Sequence, residues 1–259
     1  MTSSPSIQQI TSRENPLVKD LRRLSQDSTA YRKQGRVWLE GDHLCRAALQ
    51  RGLRPRLAVY AESFWQAHQV AWLDHAERHV VMPDALFRDL SGLESPAPLA
   101  FVLDLPQRQE VQPGRAAVVL DRVQDAGNVG SILRSAAAFG FEQVLALKGS
   151  AALWSPKVLR AGMGAHFGLS LLEGVLPQQV AELGLPLIVT SSHQGALIQH
   201  QALPWPCAWA MGHEGQGVGE ALQAQASLSV RIGQPGGEES LNVAAAAAIC
   251  LHASAIARG

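Results

Sequence analysis

At 259 residues, with 47% hydrophobic and 17% charged side chains, the chain can bury more than one modest core and is not a disordered polymer. Three scattered cysteines without a CxxC pair exclude a disulfide framework and a cysteine-built zinc site, and no metal is expected. The apolar run Val243–Ile249 is alanine-dominated and too short to cross a bilayer, and "MTSSPSIQQITSRENPLVKD" has no signal-peptide core, so a cytoplasmic location is expected.

The formal net charge is zero, but its distribution is uneven. Residues 1–60 hold 11 of the 22 Lys and Arg against 5 of the 22 acids, whereas 61–110 are acidic. A basic front end on a neutral chain suggests a polyanion partner for one part only; an unevenly charged solvated surface is the alternative. Residues 6–55 read as helices joined by short turns. In "NPLVKDLRRL", Leu17, Leu21 and Leu24 share a face, with Lys19, Arg22 and Arg23 largely opposite. "VWLEGDHLCRAALQRG" reads as a short strand, a Gly-Asp break and a helix closed by Gly52. Strands are expected at 55–60, 78–82 and 101–106, making residues 1–106 a small α/β domain, and the Pro/Gln/Gly-rich stretch 107–114 is the linker candidate.

From 115 to 259 short apolar runs alternate with helical segments. Strands are expected at 116–120, 142–147, 185–192, 206–212 and 227–232, and helices at 129–139, 156–163, 176–183 and 218–226. Continuous apolar strands alternating with helices indicate a parallel sheet covered on both faces, whose ligands sit beyond the carboxyl ends of the strands.

Three loops in those places carry polar groups. In "LDRVQDAGNVGSILRSAAAFG" (120–140), Asn128 is a candidate N-cap, and Arg134 projects from a helix face of small residues. Such a guanidinium calls for an anionic partner, a surface ion pair being the plainer possibility. In "AWAMGHEGQGVGEAL" (208–222), Gly212, Gly215, Gly217 and Gly219 surround Glu214, in an order that matches neither a P-loop nor GxGxxG. In "GQPGGEESLNVAAAAAICLH" (233–252), Ser240 is the expected cap of the last helix. Glu238 and Glu239 favour its positive end, and Asn242 lies in its first turn.

Together, "NVGSILRSAAAFG", "MGHEGQGV" and "RIGQPGGEESLNVAAAAA" resemble the three motifs of the SpoU/TrmH family of SPOUT RNA methyltransferases, over roughly 114–259. The resemblance implies an α/β fold with a C-terminal parallel-sheet domain tied in a deep trefoil knot, a shape that general topology rules disfavour. It implies methyl transfer from S-adenosylmethionine to a ribose 2′-hydroxyl of RNA, ribosomal RNA being preferred over tRNA. Asn128, Arg134, Glu214, Ser240 and Asn242 match the family's active-site polar positions. Thr190, Ser191, Gly212, Gly215, Ile232, Leu241 and Asn242 match its cofactor side. Arginine is a poor base, so Arg134 is assigned to clamping a phosphate and stabilising the developing alkoxide. The family acts as homodimers through the knot and last helix, with an active site drawing on both chains. Two positions depart from its pattern: Gly233 stands where a proline is usual, and His213 where an asparagine is common.

The front segment resembles the substrate-recognition domain that precedes many members, related to RNA-binding ribosomal proteins. Arg13, Lys19, Arg22, Arg23, Arg32, Lys33 and Arg36 would then grip phosphates, which position RNA without reading its sequence. Tyr31 and Trp38 are candidates to stack on bases, with core positions as the alternative. Two other functions compete: a non-catalytic RNA-binding or ribosome-assembly protein on the same fold, and a dinucleotide-dependent oxidoreductase. The latter is disfavoured by the missing GxGxxG after the first strand.

Overall fold

The computed structural model describes residues 6–107, 109–191, 195–236 and 240–257. Its chain divides into two compact units, one formed by 1–107 with 154–167, the other by 108–153 with 168–259.

In the first unit the chain runs β1 (Ser6–Gln9), α1 (Pro16–Gln26), α2 (Ala30–Gln34), β2 (Arg36–Glu40), α3 (Asp42–Gln50), β3 (Leu57–Ala61), α4 (Glu62–Trp72), β4 (Arg78–Met82), α5 (Asp84–Leu90) and β5 (Leu99–Asp104). The sheet order is β1-β4-β3-β5-β2, with β5 antiparallel to both neighbours and the other pairs parallel. Helix α1 begins where the Asn15 side chain accepts from the Leu17 N–H at 2.9 Å and Pro16 presets the first turn. It buries Val18, Leu21 and Leu24, which leaves Lys19 and Arg23 exposed. Tyr31 and Trp38 are 2% and 1% exposed, so both are core residues and the base-stacking alternative falls away.

The second unit opens with β6 (Ala117–Leu120), α6 (Ala126–Ala138) and β7 (Gln143–Leu147). Helix α7 (Pro156–Gly162) follows in the chain but groups with the first unit, where it packs on β2, rather than covering the second sheet as its sequence position suggests. Then come β8 (Ser170–Val175), β9 (Leu187–Thr190), β10 (Ala196–Leu197), β11 (Ala208–Met211), α8 (Glu220–Gln223), β12 (Leu228–Arg231) and α9 (Val243–Ala257). All seven strands are parallel, in the order β10-β12-β9-β11-β6-β7-β8. Strands β6, β7 and β11 are buried at every residue, as continuous apolar runs require when both faces are covered.

Several elements differ from the sequence expectation, among them β10, an edge strand where none was expected. Residues 6–9 form an edge strand rather than part of a helix, and its "SIQQ" is exposed throughout, so no apolar period marks it. Strand β8 is a further edge strand, which "SLLEGV" hides behind a glycine held at φ 69°. The helix expected at 176–183 is a 3-10 helix, Pro177–Leu183.

Candidate active site at the carboxyl ends of the second sheet

Asp121, Ser191, Gly212 and Ile232 each follow the end of a parallel strand, where ligands of such sheets bind. Helix α6 is capped not by Asn128 but by Asp125, whose side chain accepts from the Asn128 N–H at 2.7 Å. Three residues after a capping aspartate, Asn128 keeps its own side chain free for other partners. The Asn128 Nδ2 donates to Glu214 Oε1 at 3.2 Å, and its Oδ1 accepts from Asn242 Nδ2 at 2.9 Å.

The last helix is likewise capped differently from expectation. Asn242 Oδ1 accepts from the N–H groups of Ala244 and Ala245 at 2.9 and 3.2 Å, so Asn242 is the cap and not a first-turn residue. Ser240 is exposed two residues earlier, and the expected contribution of Glu238 and Glu239 lies outside the described residues.

Glu214 sits on the glycine loop after β11. Its carboxylate also accepts from the N–H groups of Gln124 at 3.3 Å and Asp125 at 3.1 Å. Partial burial alone would raise its pKa. Its own backbone N–H, the Asn128 amide and the two loop N–H groups outweigh that and hold it below the ordinary 4.5. The loop is tight: a Cβ on Gly212 would collide with the backbone of Gly217 and Val218, so only glycine fits there.

Asn128 therefore bonds to both Glu214 and Asn242 and joins their loops. Gly212 and Gly215 lie within two residues of Glu214, and Leu241 adjoins Asn242. Thr190 and Ser191 end β9, where the Ser191 N–H donates to the Val230 carbonyl at 3.0 Å, and Ile232 follows β12, half-buried. Arg134 and Ser240 are not joined to this network. Arg134 is exposed on α6 with no ion pair among the described residues, and six residues of helix turn it about 240° from Asn128.

The residues present suit S-adenosylmethionine. Gln234 Oε1 is buried without a hydrogen-bond partner among the described residues, two positions beyond Ile232, and awaits a donor. A Cβ on Gly236 would meet nothing within 4 Å, leaving the backbone there open to a ligand.

The site also contains groups that the sequence did not announce. Buried Asp121 accepts from the Gly219 N–H at 2.6 Å and from Arg122 Nε at 3.0 Å, which fastens the glycine loop to the end of β6. Arg122 adopts a left-handed φ of 61°. The one signal for Asp125 was the spacing "DAGN", which suits a cap followed by a first-turn residue.

Of the front-unit cations, Arg13 pairs with Asp89, Lys19 with Glu14 and Arg36 with Asp20. Arg32 Nε contacts the Tyr31 hydroxyl at 3.1 Å. Arg22, Arg23 and Lys33 make no ion pair among the described residues. Lys19, Arg22 and Arg23 with Gln26 and Asp27 line a shallow depression along α1.

The SpoU rRNA Methylase family matches residues 115–252, and an MRM3-like substrate binding domain matches 15–100. The chain is 30% identical over 250 residues to the 23S rRNA (guanosine(2553)-2'-O)-methyltransferase RlmP of Bacillus subtilis, covering 95% of this chain and 98% of that protein. A crystal structure of an RNA 2'-O ribose methyltransferase matches with a TM-score of 0.80 at 32% identity, covering 97% of this chain and 99% of the other. The SpoU methyltransferase AviRb from Streptomyces viridochromogenes, in complex with AdoMet, shares the fold at a TM-score of 0.84 and 22% identity, covering 95% of this chain and 98% of that one. With more than half its length matched to that family and its three loops bonded at the carboxyl ends of the sheet, the chain belongs to the SpoU rRNA methylase family.

Proposed function

We propose that the protein methylates the 2′-hydroxyl of a ribose in RNA, using S-adenosylmethionine, and that its substrate is ribosomal RNA. The observation that carries this reading is the bonded series Glu214–Asn128–Asn242, which ties three polar loops together at the carboxyl ends of a parallel sheet. The naming of RlmP favours ribosomal RNA over tRNA.

When bound, S-adenosylmethionine supplies an electrophilic methyl group on a sulfonium. The backbone around Gly212, Gly215, Ile232 and Leu241, with Thr190, Ser191 and Asn242, would hold it. Glu214 and Asn128 keep the first and second loops at a fixed separation, which would orient the acceptor ribose toward the methyl donor. Arg134 clamps the phosphate beside the target ribose and stabilises the negative charge that develops on its oxygen. Ser240 offers a hydroxyl to the same ribose.

The position of Arg134, away from Asn128 on α6, supports a site completed by a second copy. So do the exposed Leu241, Ile249 and Ile256 (40%, 40% and 67%), which lie on or just before α9. The homodimer forms through α9 and the knotted segment. The deep trefoil knot is supported by β9, β11 and β12 standing out of chain order while α9 returns onto α6. The front unit, of ribosomal-protein type, delivers RNA through the α1 cations. Three buried free thiols suit the reducing cytoplasm.

Transfer of tritium from labelled S-adenosylmethionine to ribosomal RNA, with 2′-O-methyl sites mapped in wild-type and deletion strains, tests this function. A ribose that loses its methyl only in the deletion strain is expected. Unchanged maps together with no S-adenosylmethionine binding by calorimetry would leave a non-catalytic RNA-binding protein.

A further inference from the structure

The turn that carries Glu214 is closed by an imidazole. His213 and Gly217 exchange backbone hydrogen bonds at 3.0 and 2.8 Å across the mouth of the loop. Inside it, His213 Nδ1 accepts from the N–H groups of Gly215 at 3.0 Å and Gln216 at 3.2 Å. A ring nitrogen that accepts from two N–H donors carries no proton, so the neutral ring holds its hydrogen on Nε2. Glu214 lies between the two ends of this arrangement and points to Asn128 and the start of α6.

From this geometry we infer that His213 is a pH-sensitive positioning residue: its unprotonated Nδ1 holds the turn that aims Glu214 at Asn128. The inference rests on the methyltransferase reading for its effect on turnover but not for its effect on the turn. Protonation places a third N–H against two others, abolishes both bonds and lets Glu214 swing from Asn128. Among the described residues, the charged groups on neighbouring elements are Asp121 and Arg122 after β6, Lys148 after β7, Asp125 at the α6 cap, Glu214 in the turn and Glu220 opening α8. Arg122 is committed to Asp121 and to Gln216 Oε1 at 2.9 Å, so it steadies the turn's outer side. Glu214, held below 4.5, is still ionised across the range near pH 6–7 where imidazoles change charge. An asparagine at 213 can accept the same two N–H groups through Oδ1 and does not titrate.

The test uses the full-length protein. Nitrogen-15 NMR of labelled histidine gives the tautomer, and the Gly215 and Gln216 amide shifts are followed from pH 8 to 5.5, with methyl transfer to ribosomal RNA measured over the same range. Expected are the Nε2–H tautomer, both amides moving with the His213 titration, and turnover falling with them. His213→Ala lowers kcat by up to about a hundredfold at all pH values, as a misplaced active-site group does. His213→Asn restores most of that loss and removes the acid limb. A hydrogen on Nδ1, amides indifferent to the titration, or the same acid limb in His213→Asn would overturn the inference. Absence of methyl transfer by the wild-type protein would sink the functional reading instead, and the NMR titration would still decide for or against the turn.

Discussion

Asn242 Nδ2 donates to Asn128 Oδ1 at 2.9 Å while the Asn242 Oδ1 caps α9, so one amide fixes both the start of the last helix and the first polar loop. Removing Asn128 breaks its bonds to Glu214 and Asn242 together. In Asn128→Ala, stability should fall by only about 1 kcal/mol, since these bonds are solvent-accessible. Turnover should fall much further, by roughly tenfold to a hundredfold. Asn128→Asp should be worse, because it sets a carboxylate against Glu214. Urea titration and initial rates on all three proteins check this; equal rates in the two variants would argue against charge in the network.

Arg134 stands exposed without an ion pair among the described residues, so its removal should leave the fold intact. Arg134→Ala should lower kcat by about a hundredfold to a thousandfold, the usual loss when a transition-state donor is removed. Calorimetry should show S-adenosylmethionine bound as before. If Arg134 serves a partner's site, mixing Arg134→Ala with Asn128→Ala should recover part of the activity through heterodimers.

Glu214 gives an acid signature of definite sign. Its pKa is lowered in the folded state, so the unfolded chain binds its proton more readily. The stabilisation is complete above about pH 4.5, the ordinary value, and is lost as the pH falls through the lowered one. The melting temperature of the wild type should drop more steeply below pH 4.5 than that of Glu214→Gln.

The apolar stripe on α9 should hold two copies together. Ile249→Glu and Ile256→Glu place charges on residues 40% and 67% exposed, so neither variant should unfold. Light scattering behind a sizing column should show monomers, and methyl transfer should fall with dimer content. A dimer that survives both charges would place the interface elsewhere.

Along α1, Arg22→Glu with Arg23→Glu should weaken RNA binding across all sequences alike. Each phosphate that the protein no longer neutralises takes about 0.7 to 0.9 from the slope of log affinity against log salt. Filter binding at several salt concentrations measures that slope, and S-adenosylmethionine affinity should not change.

Much of the second unit was legible in its sequence, because buried parallel strands are written as continuous apolar runs and the three loops carry paired glycine and polar signals. What could not be read was where side chains spend their hydrogen bonds. Asn128 and Ser240 both have capping chemistry, yet Asp125 and Asn242 take those roles, since a cap is chosen by the path of the preceding loop as well as by residue type. The edge strands β1, β8 and β10 were not legible because an edge need not be buried and so carries no compulsory pattern. Buried Tyr31 shows the reverse: a tyrosine beside Arg32 and Lys33 looks like an RNA contact until tertiary packing claims it. Arg122 at φ 61° breaks a local rule that sequence alone would have honoured.

The separations along the chain have a consequence for biosynthesis. The partners of Asn128 lie 86 and 114 positions downstream. At about 5 to 20 residues per second, an elongating polypeptide would wait on the order of ten seconds between making Asn128 and making Asn242. Throughout that interval the flank of α6 destined for α9 has nothing to cover it. The nascent chain is thus open to chaperones and proteases while 114 of its 259 positions are added, and a chain cut short before residue 242 would carry α6 without the amide that joins it to the last helix.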